Sequence, residues 1–281
     1  MKIRDVYDMI DRLAPFDTQA DFDNSGLLAG RRDQEVTGIH FALDVTQRVL
    51  DEAEAEGANL IIAHHPLMFR ARKNLTEDDY EGALLCRMIR SRIGLIAAHT
   101  NFDAAPGGTN ETLAVLCGLT GVTGESWWRV GDLPDGMTAG RLTAFLESTL
   151  RTSVRVYGQF PQDHPLRRLG ICTGAGSEYW QDAAALGADA FLTGEMKHHD
   201  ALAMADAGVI GLEAGHFATE EPGIFALADA LQKAADAVQW KVRITRSRCG
   251  GYALPRAHEG GYPTDGSYGN ALVLHEGGHE G

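Results

Sequence analysis

Short apolar runs alternate with stretches of 3.6-residue periodicity along most of the chain. The runs predict strands at Ile39–Leu43, Leu60–Ala63, Leu95–Ala98, Val154–Tyr157, Leu169–Cys172, Ala190–Leu192, Val209–Leu212 and Val242–Thr245. The periodic stretches predict helices at Thr46–Glu56, Asp79–Arg92, Thr109–Leu116, Thr138–Leu150, Glu178–Leu186, His198–Ala207 and Glu220–Ala235. Ile3, Val6, Ile10 and Leu13 recur at helical spacing among charges, the pattern of an amphipathic helix and not of a signal peptide. No apolar run reaches the length of a membrane span. Strands alternating with helices predict an α/β protein with parallel or mixed sheets.

The two halves echo each other. "GANLIIAHHP" at Gly57 is matched by "GADAFLTGEM" at Gly187, and "GLIAAHTNFD" at Gly94 by "GVIGLEAGHFATE" at Gly208. Two related α/β lobes are therefore expected, one over 1–125 and one over 126–248. Gly118–Pro165, with Trp127, Trp128 and several Gly and Pro, reads as the connection between them. The remainder, 249–281, is rich in Gly, His, Tyr and Glu with little periodicity and reads as a mobile tail.

Composition narrows the class. With 281 residues, 44% of them hydrophobic, the chain can bury a substantial core. Cys86, Cys117, Cys172 and Cys249 are scattered without a CxxC pair, which suits a cytoplasmic protein and excludes a disulfide framework or a cysteine zinc ribbon. A formal net charge of -14 argues against sequence-independent nucleic-acid binding.

Ligands of α/β sheets gather beyond the carboxyl ends of the strands. His64 and His65 follow one predicted strand; His99 and Asp103 follow another; Glu213, His216 and Glu220 follow a third. Imidazole with carboxylate is the donor mix of Zn²⁺, Mn²⁺ or Fe²⁺. Pro66 ends regular pairing, so adjacent imidazoles can reach two neighbouring metals. His216 and Glu220 are four apart, a spacing that shares one helix face, with Pro222 in the first turn of a helix starting near Thr219. A carboxylate at Glu220 can bridge two cations.

Other stretches read as less chemical. "CTGAGSEYW" places Gly174 and Gly176 at a tight turn and lacks the third glycine of a dinucleotide fingerprint. Glu195, His198 and His199 in "TGEMKHHD" line the pocket without ligating. Arg70, Arg72 and Lys73 form a basic cluster, by default a solvated loop, although beside a metal site it can receive a phosphate. "HEGGH" at His275–His279 matches H-E-x-x-H only formally, because two glycines deny it a stable helix.

The stretches "FDNSGLLAG", "ALDVT", "GANLIIAHHPLMF", "HTNFDAAPGG", "GADAFLTGEMKHHDA" and "AGHFATE" together resemble the Nif-three-like dinuclear-metal-centre family, whose members are named GTP cyclohydrolase 1 type 2 homologues. The resemblance implies two related lobes with a two-metal site between them at the strand ends. Its ligands would be His64, His65, Asp103, His216 and Glu220, the glutamate bridging. It also implies a ring-shaped homohexamer, and GTP ring opening through the family's name. Phe22 stands where the family often has tryptophan, and the short Gly118–Pro165 segment matches the form without an inserted domain.

The expected chemistry is metal-assisted hydrolysis of an unidentified small substrate, nucleotide or phosphate-bearing, with two divalent ions per chain. His99 or Glu195 is the expected proton-transfer group. The alternative is a non-catalytic metal-binding or regulatory scaffold.

Overall fold

A computed structural model describes residues 1–249. The chain opens with α1 (Ile3–Leu13), whose Ile3, Val6, Met9 and Ile10 are buried along one face, and continues through strand β1 (Gly26–Ala29). Then come β2 (Gly38–Ala42), α2 (Gln47–Ala55), β3 (Leu60–Ala63), α3 (Tyr80–Ser91) and β4 (Gly94–Ala97). Thr46 and Asp79 start α2 and α3, each side chain accepting a hydrogen bond from a backbone N–H in the first turn. β2, β3 and β4 are mutually parallel and buried at every residue, as strands covered on both faces must be. β1 caps the β4 edge antiparallel.

After α4 (Thr100–Ala104) and α5 (Thr109–Leu116) come β5 (Thr120–Thr123) and β6 (Arg129–Asp132). The chain then repeats the first design: α6 (Ala139–Leu150), β7 (Arg155–Tyr157), β8 (Arg168–Cys172), α7 (Trp180–Ala185), β9 (Ala190–Thr193), α8 (His198–Ala207) and β10 (Ile210–Glu213). β8, β9 and β10 are parallel and β7 caps β10 antiparallel, so these four strands match β2, β3, β4 and β1 of the first sheet. The echo between the halves is therefore an echo of topology. α9 (His216–Ala237) and β11 (Arg243–Arg246) complete the described chain. Among the described residues the sheet orders are β1-β4-β3-β2-β11 and β5-β6-β8-β9-β10-β7.

Each sheet lies between helices. Side chains of α1 and α9 pack with Phe41 and Ile62 on one face of the first sheet, and α2 and α3 cover the other. α5 and α6 cover one face of the second sheet, with α7 and α8 behind it. Gly223 of α9 lies so close to Thr109 of α5 that an added Cβ would sit 2.7 Å from the threonine Cα, which presses the two inner layers together. The expected second lobe, 126–248, thus contains a helix that packs on the first sheet and a strand, β11, that pairs with β2.

Three features depart from the expectations. Gly118–Pro165 is no plain connection: it carries β5, β6, α6 and β7. β1, β5 and β6 are absent from the predicted strands. β5 is exposed at all its residues, so it has no buried face to write a hydrophobic alternation into the sequence. α9 begins at His216, which puts Pro222 inside the helix. The proline cannot donate to the Ala218 carbonyl, but α9 is buried along most of its length, and that packing holds the helix through the lost bond. The tail reading of 249–281, apart from Cys249, and the HEGGH segment lie outside the described residues.

Candidate metal centre

The carboxyl ends of β3 and β4 from the first sheet meet the start of α9, which follows β10 of the second. His64 and His65 follow β3 directly, donating from their backbone N–H groups to Ala42 and Leu43 at 3.2 and 3.0 Å. Past the end of the strand both side chains turn toward the same centre, with ring centroids 5.1 Å apart. His99 is the cap residue before α4, one turn ahead of Asp103. His216 and Glu220 share one face of α9.

Four imidazoles are held by the same device. Nδ1 of His64 faces the Ala98 carbonyl, that of His65 faces Asp44, that of His99 faces Asp23, and that of His216 faces Glu195, all at 2.7–2.8 Å. Each acceptor holds the ring proton on Nδ1 and leaves the Nε2 lone pair to point inward. The inward atoms meet oxygens that are also acceptors. Nε2 of His64 lies 3.4 Å from Asp103 Oδ1 and 3.8 Å from Glu220 Oε1. Nε2 of His65 and of His216 lie 2.9 and 3.0 Å from Glu220 Oε2. Glu220 thus divides its two oxygens between two donor sets.

Lone pair facing lone pair in a buried place needs a positive charge between them. His64 Nε2 and Glu220 Oε2 are buried without a hydrogen-bond partner. Protons can serve in part: burial disfavours charge on His65, yet the neighbouring carboxylates of Asp44 and Glu220 prevail and lift its pKa to about 10. His64 and His216 are raised too, against the same burial, by the surrounding carboxylates. Burial pushes Asp103 up, while the three imidazoles hold Glu220 well below the usual carboxylate range. Nitrogen and carboxylate donors in this arrangement fit divalent cations. Two groups, His64–His65–His99 and His65–His216–Glu220, each bring their donor atoms within 4.8 Å of one another.

The second sheet supplies the wall. Gly174, after β8, sits so close that an added Cβ would meet Glu220 Oε1 at 2.1 Å and His216 Nε2 at 3.2 Å. Thr109 donates to Asp103 and lies 3.0 Å from the hydroxyl of Thr173, the residue after β8, tying that carboxylate to the second sheet's edge of the site. A cleft of about 230 Å³ opens over His216 and Glu220.

The structure brings His64, His65, Asp103, His216 and Glu220 together. It sets His99 among the imidazoles and Glu195 behind His216. His198 and His199 are exposed at the start of α8, and Glu213 is engaged by Tyr157 and Arg155. Arg72 is paired with Asp79 and Glu81, so the basic cluster loses its most enclosed member to internal ion pairs. Sequence reasoning missed Asp23, Asp44, Thr109 and Gly174. Asp44 had a signal, since it stands just beyond the predicted strand Ile39–Leu43.

No helix among the described residues is long and apolar enough to cross a membrane. The profile of Duf34/NIF3 (NGG1p interacting factor 3) matches residues 1–250. A GTP cyclohydrolase 1 type 2 homolog of Clostridium perfringens is 32% identical over 246 residues, spanning 84% of this chain and 93% of that relative. Another from Streptomyces coelicolor is 30% identical over 262 residues, 88% of this chain and 91% of the relative. The crystal structure of a Staphylococcus aureus hypothetical protein superposes with a TM-score of 0.84 at 29% identity, covering 91% of this chain and 99% of that one.

Proposed function

The chain belongs to the Duf34/NIF3 family, and from that premise we propose that it is a dinuclear-metal-dependent hydrolase of a small substrate, nucleotide or phosphate-bearing. The observation that carries the reading is the division of Glu220 between two donor sets, Oε1 toward His64 and Oε2 toward His65 and His216. Asp103 completes the first set. His64, His65, Asp103, His216 and Glu220 would hold the cations, which would supply Lewis-acid polarisation and ease deprotonation of water near neutral pH.

The chain's own residues do the rest. Asp44 and Glu195 orient His65 and His216 through Nδ1. Asp23 fixes His99 the same way, leaving Nε2 of His99 to hold or pass a proton at the edge of the cleft. Glu195, at 56% side-chain exposure, orients a ligand in this reading and does not move the proton. The names of the relatives support a nucleotide substrate. We place the protein in the cytoplasm as a homohexamer, on the family resemblance and the scattered cysteines.

The test is elemental analysis of full-length protein beside Glu220→Ala, reconstituted with Zn, Mn or Fe. Both chains carry the same tail histidines, so the difference reports the centre alone. Two ions lost in the variant, with turnover of at least one nucleotide, phosphoester or cyclic amide by the parent, supports the hydrolase. Equal metal in both sinks the centre. Metal difference with uniform inactivity moves the reading to a non-catalytic scaffold.

A further inference from the structure

Trp127 and Trp128 are neighbours in sequence and part company in space. Trp128 enters the core with Val130 and Phe191, whereas Trp127 stays half-buried in the wall of the 230 Å³ cleft over His216 and Glu220. The loop that leads into them holds Ser126 at φ 44°, a left-handed conformation uncommon for a residue with a Cβ. Trp127 is tied at both ends. Its indole N–H donates to the Thr100 carbonyl at 3.1 Å, and its own carbonyl accepts the Cys172 thiol at 3.0 Å. Thr100 opens the helix that carries Asp103, and Cys172 ends β8, so the ring is fixed relative to both sides of the candidate centre.

Two more aromatic rings share the cleft. Tyr179 lies 6.4 Å from Trp127, tilted by 55°. Phe22 also lines the cleft while 66% of its surface faces solvent, an exposure that core packing does not explain.

We propose that this cleft is the subsite for a planar, uncharged heteroaromatic ring of the substrate, seated against Trp127 and Tyr179 with its edge toward Glu220. The inference rests on the hydrolase reading and adds the substrate class. Size favours a ring and not a whole nucleotide: the cleft is smaller than the roughly 300–1,000 Å³ of pockets that enclose drug-sized ligands. Charge selects a neutral ring, because cations at Glu220 would repel an organic cation that an aromatic wall otherwise attracts. A tethered tryptophan also gives up little freedom on stacking.

The test titrates metal-loaded, full-length protein with 2-aminopurine riboside, whose fluorescence falls on stacking. Saturable quenching is expected, competed by guanosine and not by ribose 5-phosphate. Trp127→Ala and Tyr179→Ala should each weaken binding roughly 10- to 100-fold, and Trp127→Phe and Tyr179→Phe should recover it to within about threefold. Metal content is measured on every variant; should Trp127→Ala shed metal through its link to Thr100, Tyr179→Ala decides. Unchanged affinity in the alanine variants, no saturable binding by the parent, or competition by ribose 5-phosphate equal to that of guanosine would each overturn the subsite. The hydrolase reading fails separately: protein that takes up no metal at Glu220 on reconstitution yet binds the probe through Trp127 keeps the subsite and loses the metal chemistry.

Discussion

His65 and His216, 151 positions apart, bring their Nε2 atoms to 3.2 Å of each other. Both atoms also lie within 3.0 Å of one oxygen, Oε2 of Glu220. In the neutral rings the proton sits on Nδ1 against its acceptor, so the two Nε2 lone pairs face each other. Two such lone pairs at this distance are what a shared cation holds together.

Removal of either ring should therefore release the same ion. His65→Ala and His216→Ala should each weaken one of two binding steps by more than the roughly 10- to 100-fold seen when only an orienting group is lost. The double variant should be little worse than either single one, because the second substitution acts on an ion already gone. Competition against a chromophoric chelator measures both steps. Additive losses would separate the two rings into different sites.

Metal binding should release protons. In metal-free protein the His65 pKa of about 10 keeps the ring charged at pH 7.5, and a cation must displace that proton. Apparent affinity should rise with pH up to about 10. The folding linkage has the opposite slope: a pKa raised above 6.5 gives stabilisation that is complete below pH 6.5 and lost as pH climbs through about 10. Chelated protein should accordingly melt lower as pH rises over that window. Calorimetry in buffers of different ionisation enthalpy counts the protons, and a count of zero at pH 7.5 would contradict the charged ring.

Asp44 and Asp23 play the same part for their histidines and should fail differently. Asp44 is 40% exposed, so Asp44→Ala should spare the fold and cost roughly 10- to 100-fold in metal affinity. Asp23 is fully buried and accepts from Asn24 N, Ser25 Oγ and Thr100 N and Oγ1 as well as facing His99. Asp23→Ala strands those donors and should lose about 2–4 kcal/mol of stability, with Asp23→Asn recovering part of it. Urea unfolding and metal titration of both variants separate the two modes; equal stability losses would show that burial does not distinguish them.

The contrast shows what the sequence makes legible. Parallel strands covered on both faces leave continuous apolar runs, and the residue types just beyond β3 and β4 stand out against them. His64, His65, His99 and Asp103 were visible for that reason, and His216 with Glu220 through helical spacing. Asp23 precedes a four-residue edge strand with no alternation to mark it. Ser126 and Trp127 sit in a loop whose direction is set by partners on α4 and β8, distant in the chain. Pro222 misled because proline usually marks a first turn; the burial of α9 outweighs that preference.

Gly174 carries the most distant of these relationships, and its two demands can be separated. Its φ of 63° belongs to the left-handed region, and its missing Cβ is space that Glu220 Oε1 already occupies at 2.1 Å. Gly208, which ends α8, shares the conformation at φ 76° but has nothing within 4 Å of an added Cβ. Gly208→Ala should thus cost only the backbone term, about 1 kcal/mol, and keep its metal. Gly174→Ala carries the same backbone term and also drives the methyl into the glutamate that both donor sets share. Glu220 is buried, and His64, His65 and His216 surround its oxygens, so it can yield only by leaving one of them. Metal content should fall in Gly174→Ala even where thermal unfolding shows a folded protein. Elemental analysis and melting curves of the two variants, taken together, decide the matter: metal retained in Gly174→Ala would mean that Glu220 is free to move and does not bridge.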